Sequence, residues 1–74
     1  MLTSRTEHYK GFVIRTFERE TGRWQAEIYK ADGADLTILV LTGKHPLFTT
    51  SGDDISADAA IKRAKRVIDV GGVT

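Results

Sequence analysis

The chain has 74 residues, no cysteine, and eleven basic against ten acidic residues for a formal net charge of +1. That length provides one domain, near the lower end of what folds unaided. The missing cysteines exclude disulfides and thiolate metal sites, and the near-neutral charge excludes global steering toward nucleic acid or anionic membrane. Hydrophobic residues make up 41% of the chain, enough to build a core and too many for a disordered segment.

Residues 1–7 are polar and are expected to fray, leaving a single domain over residues 8–72. They contain no apolar run of the signal-peptide kind, so a cytoplasmic location is expected. The longest apolar stretch, Ile38-Leu39-Val40-Leu41, is too short to span a bilayer. Tyr9 to Phe17 is rich in β-branched and aromatic residues and reads as a first strand. Glu20-Thr21-Gly22 supplies a turn. Arg23 to Lys30 alternates strictly, with Trp24, Ala26 and Ile28 on one side and Gln25, Glu27 and Tyr29 on the other. Asp32-Gly33 is a hairpin signal, because both residues tolerate left-handed backbone. Leu36 to Thr42 reads as a third strand, apolar on both faces. Gly43-Lys44-His45-Pro46 is a turn, and Leu47 to Thr50 reads as a short fourth strand with Pro46 at its start.

A loop at Ser51-Gly52-Asp53-Asp54 then leads to a helix. Ser56 is its expected N-cap, Asp58 sits where the helix dipole favours an acid, and Ile55 is placed to staple against Ala60. Ala57, Ala60, Ile61, Ala64, Val67 and Ile68 form an unbroken apolar stripe, and Gly71-Gly72 ends the helix. The predicted fold is therefore α+β: a three- to four-stranded antiparallel β-meander with one C-terminal helix packed on one face. Its expected core is Phe12, Trp24, Ile28, Ile61, Val67 and Ile68.

One helix covers only one face of a sheet. Val13, Phe17, Tyr29, Leu39 and Leu41 fall opposite the residues assigned to the helix side, where a solvated face should be polar. These five are the expected protein-contact surface, and a homodimer is one way to cover it. The competing explanation is that strand twist, the loop at residues 43–54 and the N-terminal tail cover them.

Catalytic chemistry has little support. Ser4, Ser51 and Ser56 sit in no nucleophile motif, and His8 and His45 have no partner at a spacing that would make a base and its orienting group. His45 with Asp53 and Asp54 is a weak metal set; those acids are better explained as starting a helix. Gly43-Lys44 follows an apolar strand but lacks the glycine and the Ser or Thr of a phosphate-binding loop. The chain reads as a non-enzyme without cofactor or small-molecule substrate. Lys62, Arg63, Lys65 and Arg66 line the exposed side of the helix and are the alternative reading, an RNA or DNA contact. Their competing explanation is an ordinary solvated face, with Asp58–Lys62 and Lys65 or Arg66 with Asp69 as ion pairs along the helix.

Tyr9-Lys10-Gly11-Phe12-Val13-Ile14, Trp24-Gln25-Ala26-Glu27-Ile28, Phe48-Thr49-Thr50, Ala59-Ala60 and Ile68-Asp69-Val70-Gly71 together resemble a group of short bacterial proteins of uncharacterised function. The arrangement is also similar to the sheet-and-helix domain of HicB-type antitoxins, over about residues 9–71. That resemblance implies a glycine-containing first strand leading into a hairpin, an alanine-bearing helix on the sheet, and a role through protein contacts. The chain departs from those antitoxins in having no added DNA-binding segment and no acidic Pro-Gly stretch after the second strand. A toxin-neutralising role follows only by analogy of fold. The double-stranded-RNA-binding domain has a related strand-strand-strand-helix core, but its first helix has no counterpart here.

Overall fold

The computed structural model describes residues 4–39, 42–50 and 53–74. Their elements run β1 (Thr6–Tyr9), β2 (Phe12–Glu20), β3 (Arg23–Lys30), β4 (Leu36–Thr37), β5 (Lys44–His45), β6 (Phe48–Thr49) and α1 (Ala57–Asp69). An antiparallel sheet in the order β1-β2-β3-β6 carries α1 on one face, and β4 and β5 form a separate two-stranded ribbon. The α+β class, the antiparallel sheet and the single C-terminal helix are as the sequence predicts, and of the three or four strands it allows the sheet has four, Phe48–Thr49 being the last. No helix among the described residues is long and apolar enough to cross a membrane.

The first predicted strand is in fact two. Lys10 and Gly11 have φ of 50° and 83°, the positive pair of a type I′ hairpin turn. Strand β1 therefore begins at Thr6, inside the stretch expected to fray, and Thr6 faces Arg15 while Tyr9 faces Phe12. Strands β2 and β3 form the long central hairpin, with Ile14 opposite Ile28 and Thr16 opposite Ala26. A register shift between Glu18 and Glu20 accommodates the Thr21-Gly22 turn, where the Gly22 N–H donates to the Glu18 carboxylate at 2.8 Å.

Asp32-Gly33 does turn the chain: the Gly33 N–H reaches the Lys30 carbonyl, and Asp32 Oδ1 accepts from the Ala34 N–H. The chain does not return along β3, however. Strand β6 takes that place, with Phe48 opposite Ile28. Among its described residues the predicted third strand keeps Leu36–Thr37 as β4, paired with β5 and, through Thr37 and Leu39, with Thr74 and Gly72. The meander is thus broken after β3, and Leu36, Ile38 and Val73 enter the core from the side.

The core lies between sheet and helix. Ile14, Ala26 and Ile28 from the sheet meet Ala60, Ile61, Ala64 and Ile68 from α1, with Leu36, Ile38 and Val73 completing it. Phe12, Trp24 and Val67, expected at the centre, are half-buried at its margin. Ser56 caps α1 by accepting from the Ala59 N–H at 3.1 Å. Ile55 does not staple; it is 83% exposed. At the other end Gly71, with φ of 77°, donates to the Ile68 carbonyl and Gly72 to that of Val67, the paired bonds of a Schellman motif.

Asp58, Lys65 and Asp69 of the helix pair across to β1 and the residues flanking it, and among the described residues none of them pairs along the helix as the sequence suggests. Arg5 meets Asp58, Glu7 meets Lys65, and Lys10 Nζ donates to Asp69 at 2.7 Å. Tyr9 Oη donates to the same Asp69 carboxylate. The spans match: eleven helical residues rise about 17 Å, and five extended residues from Arg5 to Lys10 reach about the same. Asp58, Lys65 and Asp69 fall on one flank of α1, so an edge strand running alongside meets all three.

Asp69 has its pKa lowered, first by the Lys10 hydrogen bond and next by that of Tyr9, while Lys10 is raised by the same contact. A depressed carboxylate stabilises the fold above its ordinary value of about 3.9, and loses that contribution as pH falls through its folded value. The urea midpoint of the protein should therefore drop further between neutral pH and about pH 2 than that of Asp69→Asn. Equal drops in the two proteins would show that this contact carries no acid sensitivity.

Candidate interaction surface

The face of the sheet turned away from α1 is built by strand alternation. Register places His8, Val13 and Tyr29 in one row across the strands. Thr6, Arg15, Glu27 and Thr49 form the next row, and Phe17 with Gln25 a third. The residues between them, such as Ile14 and Ile28, point into the core.

The centre of this face is polar. Arg15 and Glu27 are direct cross-strand partners, and the Arg15 guanidinium donates to Glu27 Oε1 from Nη2 at 2.6 Å and from Nε at 3.1 Å. That hydrogen bond raises the Arg15 pKa. Apolar groups flank the pair on both sides. Phe17 and Tyr29 are half-buried, which leaves part of each ring in solvent. Beyond Tyr29, Pro46 and Leu47 rise beside the Arg15–Glu27 pair and close a shallow groove of about 270 Å³. A second hollow runs along Arg15, Phe17 and Ser4.

Of the five residues expected to form a contact surface, the structure brings Val13, Phe17 and Tyr29 onto this one face. Val13 is only 5% exposed, flanked in register by His8 and Tyr29, so it supports the surface more than it presents one. Leu39 is 75% exposed but lies outside the four-stranded sheet, beside the helix C-terminus, where its N–H donates to the Gly72 carbonyl. Leu41 lies outside the described residues. Leu47, which is 39% exposed, was not anticipated; only the pairing of β6 with β3 assigns it to this groove.

The four basic helix residues do not form one patch. Lys65 faces β1, pairs with Glu7 and lies 5.1 Å from the Tyr9 ring centroid. Arg63 turns the other way, and its Nε sits 3.0 and 2.9 Å from the two oxygens of the buried Asp54 carboxylate. This contact raises the Arg63 pKa. Lys62 and Arg66, one turn apart, flank Arg63 along a shallow hollow and have no acid within ion-pair distance among the described residues.

The residues considered for catalysis and metal binding have separate partners. His45 Nε2 is 3.0 Å from the Thr42 carbonyl, Asp54 is held by Arg63, and Asp53 lies near Arg23. Among the described residues, no three His, Asp or Glu side chains gather at metal-binding distance. No protein-family model, curated protein or solved structure matches the chain.

Proposed function

We propose that the protein is a small, non-catalytic, cytoplasmic binding module that acts through protein contacts on the open face of its sheet, with a second copy of itself among its partners. The observation that carries the reading is a sheet surface that no described element covers, where Phe17, Tyr29 and Leu47 surround the Arg15–Glu27 pair. Aromatic anchors around a defined polar centre suit a protein partner, because the rings contribute area and the ion pair sets orientation. Two long central strands, of eight and nine residues, flanked by the shorter β1 and β6 make a face about 26 Å along its middle and narrower toward its edges, the footprint of a bound peptide.

The test is affinity capture from the native host with three baits. The wild-type protein should retain a defined protein partner. Phe17→Asp should lose it, because a carboxylate then enters a desolvated contact, by about tenfold or more in affinity. Lys62→Glu with Arg66→Glu should retain it. The opposite pattern, loss only with the helix variant and recovery of nucleic acid by the wild type, would replace this reading with the second one. That second reading rests on Lys62 and Arg66 beside Arg63, which have no ion-pair partner among the described residues, and it requires binding that weakens steeply with salt.

A further inference from the structure

Among the described residues, the β1 edge of the sheet has no neighbouring strand, and its backbone pattern is readable. Strand β1 is the outermost strand. The Arg5 carbonyl accepts from the Thr16 N–H at 2.8 Å, so Arg5 and Thr16 are a hydrogen-bonded pair. Alternation along an antiparallel ladder then turns the N–H and C=O of Glu7 and Tyr9 toward β2, and those of Thr6 and His8 outward. Strand β1 contains no proline and its pairing with β2 has no register shift, two of the devices that blunt an edge. The opposite edge, β6, is two residues long and follows Pro46 closely.

We propose that the outer edge of β1 pairs antiparallel with the same edge of a second copy, about a twofold axis at Thr6, joining two sheets of four strands into one of eight. This rests on the reading that a second copy is a partner, and it seats that copy at the edge, leaving the open face free. Three registers match the outward-facing groups. Thr6 on the partner's Thr6 sets Arg5 opposite the partner's Glu7, twice by symmetry. Thr6 on the partner's His8 sets Glu7 against the partner's Glu7. His8 on the partner's His8 sets Glu7 against the partner's Tyr9. Directly opposite unlike charges favour a strand pair and like charges oppose it, so the first register is selected.

The flanking charges extend the match. Within each copy Arg5 faces Asp58 and Glu7 faces Lys65. Across the join each row therefore reads Asp58, Arg5, the partner's Glu7, the partner's Lys65, alternating in sign throughout. The helices leave room. Helix α1 packs on β2 and β3, so the two helices stand at least three strand spacings apart, about 14 Å, against a helix diameter of about 10–12 Å. On the other face the join meets only Thr6, Ser4 and His8, which are exposed.

The chain has no cysteine, so single thiols report the register directly. Thr6→Cys places two thiols on the axis, with Cα atoms about 5.5 Å apart, within disulfide reach. His8→Cys places them about 13 Å apart, out of reach. Gln25→Cys reports a face-to-face dimer instead. Under mild oxidation Thr6→Cys should form a covalent dimer at least about tenfold faster than either control. Thr6→Pro removes one outward donor while sparing the β2 ladder, and should weaken self-association in sedimentation with an unchanged circular dichroism spectrum. Equal or faster crosslinking through His8→Cys or Gln25→Cys, or a wild-type protein that stays monomeric at millimolar concentration, would overturn the proposal. If the edge fails in this way while Phe17→Asp still loses its partner, the open-face reading stands alone.

Discussion

Ile28→Ala is expected to cost about 2–5 kcal/mol and to leave the protein largely unfolded at body temperature. Ile28 is fully buried and sits between Ile14 and Phe48 across the sheet, directly under the helix. Truncation removes three carbons from a site bounded by regular strands, which cannot collapse to fill it. A chain of this length holds roughly 4–11 kcal/mol of total stability, so one such cavity removes a large share. Urea denaturation followed by Trp24 fluorescence measures it. A loss below about 1 kcal/mol would mean that the helix settles into the gap, and that the sheet–helix seam is looser than its packing implies.

Leu36→Ala should cost a comparable amount, although Leu36 belongs to a two-residue strand outside the main sheet. Its side chain is fully buried, beside Ile38 and Val73, in the same cluster as Ile28. The ribbon it belongs to is held by backbone bonds from Thr37 and Leu39 to Thr74 and Gly72, which tie the middle of the chain to the stretch after the helix. If this side wall is part of the cooperative unit, Leu36→Ala lowers the urea midpoint by the equivalent of about 2–5 kcal/mol with an unchanged slope. A small effect with a shallower slope would identify the wall as a flap that opens independently of the sheet. Leu39→Ala, at an exposed neighbouring position, serves as the control and should change stability by less than about 0.5 kcal/mol.

Much of this architecture is legible in the residues. Strict alternation in Arg23 to Lys30 gives both the strand and its faces, and the apolar stripe of α1 gives the helix and the side it buries. Gly71 marks the helix end because the Schellman geometry needs positive φ there. The turn at Lys10-Gly11 is hard to read for the converse reason: lysine has no preference for left-handed backbone, and the lone Gly11 within Tyr9 to Phe17 is a signal that a bulged strand also accommodates. Strand β6 displaces β4 from the sheet for reasons no local pattern records, since Leu36 to Thr42 has ample strand propensity and only tertiary packing decides which segment pairs with β3.

The candidate surface was half legible. Period two places Phe17 and Tyr29 together once the helix side is assigned, but Leu39 was carried along by a strand that does not join the sheet. The Arg15–Glu27 pair needs the β2–β3 register, which the bulge at Glu18 to Glu20 shifts by a residue near the turn. The helix bases are plain in the sequence, yet their division between the β1 flank and the Asp54 flank depends on which segments lie on either side of α1.

The Lys10-Gly11 turn has a bearing on how this protein could be improved. A lysine held at φ of 50° carries backbone strain of about 1–2 kcal/mol, which asparagine or glycine at that position would largely relieve. Lys10 is also where the hairpin tip meets Asp69 on the helix, an exposed contact of the kind that adds little to stability. An engineer optimising melting temperature alone would replace Lys10 and be rewarded. The same change would leave Tyr9 as the hairpin tip's remaining hydrogen-bond donor to Asp69, and so loosen the seating of the edge strand against the helix. Thermal robustness and the seating of the edge strand are set against each other at this single residue.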